Sequence, residues 1–295
     1  MSCILSIEPA AERRQGNSPG RESGGWNYYC WARLGVKLRR FATNEDVCMS
    51  GYGAFSDDFY LNMNLSTEME LPQQRESVLH YFEQIRRRYP GLQNFYARDR
   101  GEYVLEEEKE AGAYRWVSME GKRVNSGAVN PDSFESAVEQ HASVLELVPY
   151  ELSVSPLDCE SLSVMLGCDF AYRGNHNEII AEAVGIAPGL EKVLGLADHK
   201  LLSHEPALQF ALDDDCRTQC RISFESRTSA YEVRTGKYNE DQISVYLTIR
   251  RYDSLSPDET YVGEFRRLAG LLRDLADGYL VTDILRPLQQ AISLR

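Results

Sequence analysis

The stretch that decides the fold is residues 162–172, which read LSVMLGCDFAY. From Leu162 to Tyr172 every second residue is large and apolar, and most residues between them are small or polar. Because successive side chains of a strand point to opposite faces, this period of two predicts a half-buried strand of an antiparallel sheet. Residues 59–66 and 242–252 alternate in the same way and are predicted to be strands too.

Each of these three strands is followed by a polar loop and then by a predicted amphipathic helix, starting at residues 75, 176 and 257. Two further helices are predicted, over residues 131–148 and 280–294. The first has Asn130 as its cap, and the second is interrupted by Pro287. The helix that starts at residue 257 is expected to end at Gly278.

A second strand is predicted before each unit, over residues 33–39, 150–155 and 219–234, where it would form a hairpin with the strand that follows. The pattern therefore predicts an α+β fold: mainly antiparallel sheet with amphipathic helices packed on one face. The recurrence of the strand-loop-helix unit favours an internal repeat, although strands precede helices in any α+β protein.

Composition divides the chain into three parts. Residues 1–25 are rich in proline, glycine, serine and charge, which predicts a flexible N-terminal arm. Residues 26–149 are predicted to form a first α+β half and residues 150–295 a second, either as two domains or as one continuous domain.

The charge balance bears on possible partners. Basic residues number 32 and acidic residues 45, which gives a net charge of −13. Such a charge repels nucleic acid and anionic membranes at long range. Residues 1–44 carry a charge of +4 and the remainder −17, so nucleic-acid binding through residues 13–40 is the third hypothesis.

The cysteines and apolar stretches indicate a compartment. Seven cysteines are scattered without a regular spacing, which favours reduced thiols in the cytoplasm. The apolar start of the chain is broken by Glu8 and Pro9, so no secretory signal is predicted. No apolar stretch reaches the ~18 residues of a membrane span, and no membrane association is expected.

No motif for cofactor or metal chemistry stands out. The chain contains no Walker lysine, nucleophile elbow, HExxH or CxxC pair, so no cofactor is predicted. Cys216 and Cys220, with His199 and His204 upstream, are suitable zinc ligands, but their spacing and order match no usual framework. The acidic run 213–215 is typical of a solvated turn, so no metal site is predicted.

The turn Arg173-Gly174-Asn175-His176-Asn177-Glu178 is the candidate binding site. The predicted strand ends there and a helix begins, and the free N–H groups of a first helical turn can bind an anion. Arg173, Asn175 and His176 are therefore candidate anion-binding residues. The alternative is an ordinary helix cap with His176 exposed.

Two classes of function remain from the sequence. The favoured one is a non-catalytic interaction or structural module whose partner is another protein or a second copy of the chain. The alternative is a binding protein or enzyme for an anionic small molecule, centred on Arg173 and His176. No catalytic residue is identified, and the sequence does not decide whether the protein is an enzyme.

Overall fold

The structure, a computed structural model, describes residues 51–98, 101–109, 112–195 and 199–295. The arm predicted over residues 1–25 and the strand predicted over residues 33–39 lie outside the described residues. No described helix has the length and apolar character needed to cross a membrane.

Nine strands of the described residues form one antiparallel sheet. This confirms the predicted antiparallel α+β fold, and the three segments predicted first are β1, β6 and β9. The sheet order is β2-β3-β4-β5-β1-β6-β9-β8-β7. The strands are β1 (Asp58–Thr67), β2 (Asn94–Arg98), β3 (Glu102–Glu106), β4 (Tyr114–Glu120), β5 (Arg123–Val129), β6 (Cys159–Tyr172), β7 (Ala207–Ala211), β8 (Thr218–Glu225) and β9 (Asp241–Tyr252).

The helices follow the strands along the chain, and two of them start at the predicted residues 75 and 176. A π-helical segment, Ala276–Leu285, joins the last two helices without a break. The helices are α1 (Arg75–Arg88), α2 (Phe134–Glu151), α3 (His176–Val184), α4 (Pro188–Leu194), α5 (Ala230–Thr235), α6 (Tyr261–Leu275) and α7 (Arg286–Ser293).

The core lies between one face of the sheet and the helices. Leu61, Leu166 and Leu247 are directly opposite one another on β1, β6 and β9, and all three are buried. Helices α2 and α6 pack over this face, with the rings of His141 and Phe265 in edge-to-face contact at 5.7 Å. Replacing such a buried leucine by alanine typically costs about 2–5 kcal/mol.

The cap predicted for α2 is wrong by three residues. Ser133 caps the helix: its Oγ accepts from the Ser136 N–H at 3.0 Å, and Ser136 reciprocates. Asn130 instead has a positive φ of 45° and joins the helix to the sheet. Its Oδ1 accepts from the Phe59 N–H at 2.9 Å, and its Nδ2 donates to Asp58 at 2.7 Å.

The strand predicted over residues 150–155 is also wrong, because α2 continues to Glu151. The alternation of Tyr150, Leu152 and Val154 arises differently: Tyr150 is 81% exposed on the last helical turn, while Leu152 and Val154 are buried in the segment that leads to β6. Likewise only part of residues 219–234 is a strand, because β8 ends at Glu225 and α5 begins at Ala230.

The predicted ends of the C-terminal helices also differ. Helix α6 begins at Tyr261 with Thr260 as its cap, since Ser256 to Glu259 form a separate turn. Gly278 does not end the helical run, because it lies inside the π-helical segment. Pro287 does not break the helical run, because α7 continues directly from the π-helical segment.

Candidate functional site

The face of the sheet opposite α2 and α6, called the open face below, is rich in aromatic side chains. They alternate with the core residues, so the strand register places them all on this side. Each is partly exposed, which distinguishes them from the buried aromatic residues of the core. They are Tyr60, Tyr96, Tyr114, Trp116, Tyr246 and Tyr252.

Two of these rings lie against glycines. Gly167 is opposite Tyr60, and a methyl group added at Gly167 would overlap the Tyr60 ring. Gly127 is opposite Trp116, and a methyl group there would overlap the indole as well as the amide oxygen of Asn62. The two glycines therefore let the aromatic rings lie close to the backbone of the sheet.

A row of neutral polar side chains crosses the middle of the open face. Asn64 donates to Asn125 across the β1–β5 pair, and Asn125 donates to Ser118 at 3.2 Å. Ser66 donates in turn to Asn64 at 3.2 Å. These bonds hold the amide groups in fixed orientations, which lowers the entropy cost of ordering them when a partner binds.

Carboxylates gather at one end of the open face. Asp58 and Asp169 are opposite each other on β1 and β6, and the Tyr60 hydroxyl lies 3.5 Å from Asp169. The Tyr246 hydroxyl donates to Glu225 at 2.6 Å, and Arg227 lies 3.6 Å from the same carboxylate. Burial raises the pKa of Asp169, and burial together with the Asp169 charge raises the pKa of Tyr60.

Two arginines lie on β8 and β9, farther along these strands from the carboxylates. Arg221 on β8 and Arg250 on β9 are diagonal neighbours, because Arg221 is opposite Thr248 and Arg250 is opposite Gln219. The Arg250 guanidinium lies 5.8 Å from the ring centre of Tyr252. Its Nε is buried and, within the described residues, has no hydrogen-bond partner; the same is true of Asn62 Oδ1.

The structure brings the predicted anion-binding residues together at the start of α3. Asn175 caps the helix, with its Oδ1 accepting from the Asn177 N–H at 3.2 Å and its Nδ2 donating to the Leu201 carbonyl at 2.9 Å. Arg173 is exposed, and its Nε donates to the Tyr238 carbonyl at 3.2 Å.

His176, by contrast, is buried within the same turn. Its Nε2 lies 3.1 Å from the Tyr172 carbonyl, and its Nδ1 accepts from the Arg227 N–H at 3.3 Å. The His176 backbone N–H donates to the Thr228 hydroxyl at 3.0 Å. Burial lowers the pKa of His176, and the neutral imidazole links the end of β6 and the loop after β8 to the helix.

The residues considered as zinc ligands have different structural roles. Cys220 is buried in β8, and Cys216 is exposed in the turn that precedes it. His204 contacts the Gly185 carbonyl at 3.3 Å. No group of three or more histidine, cysteine or acidic side chains in the described residues could hold a metal ion.

A groove on the helical side is a weaker candidate. It runs between α2 and α6 and is lined by residues such as Ser143, Tyr150 and Tyr261. Its charged side chains bind each other, because Arg266 donates to both oxygens of Glu139 at 2.9 and 3.0 Å. The groove therefore offers fewer free polar groups than the open face.

No family model, curated protein or solved structure matches this chain. We therefore infer function from the geometry of the open face. The aromatic residues that define it were not singled out from the sequence. A signal was present for those on the strands recognised by alternation, because Tyr60 in β1 and Tyr246 in β9 occupy the intervening positions.

Proposed function

We propose that the protein is a non-catalytic interaction module that binds another protein on the open face of its sheet. The observation that carries this proposal is the pair of aromatic rings, Tyr60 and Trp116, that lie against Gly167 and Gly127. Rigid aromatic side chains contribute large contact areas and lose little conformational entropy on binding, and they are enriched among the residues that dominate interface energies.

The polar groups of the open face support binding rather than catalysis. Two of its carboxylates, Asp169 and Glu225, accept hydrogen bonds from tyrosines instead of being paired with a nucleophile. Neutral amides and hydroxyls occupy the middle of the face, where they can form the hydrogen bonds of an interface. A net charge of −13 favours a protein over a nucleic acid as the partner.

The free thiols support a reducing, cytoplasmic location. Cys159, Cys168, Cys216 and Cys220 are free in the described residues. Unpaired cysteines are usual where thiols are kept reduced.

We also propose that the two halves of the sheet derive from an internal repeat. Strands β1 and β6 lie side by side at the centre, and each is followed by a helix. Each is also paired with the last strand of its own half, β5 or β9, which precedes a long helix, α2 or α6. Within the described residues, the second half has one strand fewer than the first. Superposing residues 58–151 on residues 159–275 tests the proposal.

The binding surface can be tested with a photo-crosslinking amino acid introduced in cells at Asn64, on the open face, or at Glu83, on the exposed side of α1. We expect a protein to be crosslinked at Asn64 and not at Glu83. That protein, once purified, should bind the wild type. Trp116→Ala should weaken its binding by about thirtyfold, as expected for a residue at the centre of an interface.

Tyr150→Ala is the matched control, because Tyr150 is a highly exposed aromatic residue on the helical side. Its affinity for the purified protein should equal that of the wild type. Equal losses of affinity for this protein in Trp116→Ala and Tyr150→Ala would contradict the proposal. Crosslinks between two copies of this chain alone would indicate self-association instead.

A further inference from the structure

We infer that Arg221, Arg250 and Tyr252 form a binding site for an extended acidic segment of the protein partner. This inference rests on the proposed function of the open face and names the chemistry that one part of it recognises. The name arginine patch is used below for these three residues.

The arginine patch differs from four other arginines on the strands or next to them, each of which pairs with a carboxylate. Arg98 pairs with Glu102, Arg123 with Glu120, and Arg217 with Asp253, at 3.4, 3.8 and 3.3 Å respectively; Arg227 pairs with Glu225 at 3.6 Å. Within the described residues, Arg221 and Arg250 have no such carboxylate, although both belong to the same face.

The guanidinium of Arg250 is incompletely hydrogen-bonded within the described residues. Its Nε is buried without a hydrogen bond in the described residues, and leaving a buried donor unpaired costs about 1–3 kcal/mol. The Tyr252 ring lies beside the guanidinium and favours its charge through cation–π attraction. A carboxylate bound here would form charge-assisted hydrogen bonds with the guanidinium.

The spacing of the two arginines specifies the form of the ligand. Diagonal neighbours on antiparallel strands have their Cβ atoms about 7 Å apart. In an extended chain, side chains two residues apart point to the same side and are also about 7 Å apart. An extended segment with acidic residues at alternate positions can therefore place one carboxylate on each guanidinium.

The nearby carboxylates do not neutralise the arginine patch. Asp253 is paired with Arg217, and Glu225 is bonded to Tyr246. Asp213 accepts from the Thr218 N–H at 2.8 Å in the turn before β8. The acidic surface of the rest of the chain is screened over about 8 Å at physiological salt, so contacts within the patch dominate at short range.

The test uses the full-length protein and a fluorescein-labelled synthetic peptide of alternating glutamate and serine. Fluorescence anisotropy should show saturable binding that weakens as salt is raised to about 0.3 M. Arg250→Ala should weaken binding about tenfold and Arg221→Ala about threefold, since an arginine–carboxylate pair contributes on this scale. Arg250→Lys should retain part of the affinity, because it keeps the charge but not the planar donor pair.

Arg123→Ala is the matched control, because Arg123 lies on the same face and is already paired with Glu120. It should bind like the wild type, and a peptide with its glutamates in adjacent pairs should bind more weakly. Melting temperatures of all variants establish that they are folded.

Three results would overturn the inference. They are no saturable binding of the peptide by the folded wild type, equal losses of peptide affinity in Arg123→Ala and Arg250→Ala, or tighter binding of an oligothymidylate of equal charge than of the peptide. If the peptide fails while Trp116→Ala still weakens binding of the purified partner, the acidic-segment inference falls and the proposed function stands. If Trp116→Ala also has no effect, both fall.

Discussion

The ring of Tyr60 occupies the space that a side chain at Gly167 would need. The two residues are opposite each other on the central strands of the sheet, and Tyr246 is opposite Gly167 on the other side. The Tyr60 ring can therefore extend across β6, with its hydroxyl 3.5 Å from Asp169. The form of the open face depends on this pair.

We predict that Tyr60 and Gly167 are energetically coupled. Gly167→Ala should lower the free energy of unfolding when Tyr60 is present, because the added methyl group overlaps the ring. In a Tyr60→Ala background the same substitution should be more favourable, since alanine removes the cost of glycine in a strand, about 0.5–1 kcal/mol. A double-mutant cycle by urea denaturation should give a coupling free energy of about 1 kcal/mol.

Gly270→Ala provides the control, because a methyl group there meets no atom within 4 Å on α6. It should stabilise the protein by about 0.5–1 kcal/mol in either background. A Tyr60–Gly167 coupling below about 0.3 kcal/mol, within the usual range of additivity, would mean that the ring moves freely away from the glycine.

The second prediction concerns acid stability. His141 is fully buried, and its Nδ1 and Nε2 lie 2.9 Å from the Ser126 hydroxyl and 3.1 Å from the Leu61 carbonyl. Burial lowers the pKa of His141 to about 3. Because its pKa is near 6.5 in the unfolded chain, the neutral form stabilises the fold above that pH, and this contribution is lost as pH falls from 6.5 towards 3.

At pH 5 the titration of His141 alone should lower the free energy of unfolding by about 2 kcal/mol relative to neutral pH. Urea denaturation at the two pH values measures the difference, which His141→Gln should reduce. His199→Gln removes an exposed histidine and should leave the difference unchanged. The same pH dependence in the His141 variant and the wild type would show that other groups cause the acid sensitivity.

The third prediction separates a structural turn from an anion site at Arg173 and His176. The buried, doubly bonded imidazole indicates that His176→Ala should lower the free energy of unfolding by about 2 kcal/mol or more. Arg173→Ala, at an exposed position, should change it by no more than about 0.5 kcal/mol.

Melting with and without sulfate completes the comparison. Anion binding at this turn remains a prediction, and it requires sulfate to stabilise the wild type but not Arg173→Ala. If His176→Ala keeps its unliganded stability and loses sulfate protection, the anion-site interpretation is supported over the structural one.

The fourth prediction concerns the thiols. We expect all seven cysteines to be reduced in cells, so that reducing and non-reducing gels of fresh protein agree. Among the four in the described residues, Cys216 should react with a maleimide in native protein, because it is exposed. Burial raises the pKa of Cys159, Cys168 and Cys220 to about 12, which keeps them unreactive. Peptide mapping by mass spectrometry distinguishes them, and rapid labelling of Cys168 would show that the core opens.

Local patterns predicted the elements with strong periodicity. The period of two marked β1, β6 and β9, and helical spacing marked α1 and α3. Strands β2, β3, β4 and β5 were not predicted. Strands β2 and β3 have only five residues each, which give too few alternations to recognise. Strand alternation was misleading at residues 150–155, where the end of a helix and an extended segment together mimic it.

The sequence by itself determined that this is an α+β chain with an antiparallel sheet, because strand and helix periods depend on residues close together in the chain. It also indicated the turn at Arg173 and His176, since a helix start is a local feature. Only the tertiary structure decided that β1 lies between β5 and β6 and that β6 lies beside β9. Such pairing depends on hydrogen bonds between segments that are distant in the chain. This pairing brings Tyr60 to Gly167 and so forms the centre of the open face.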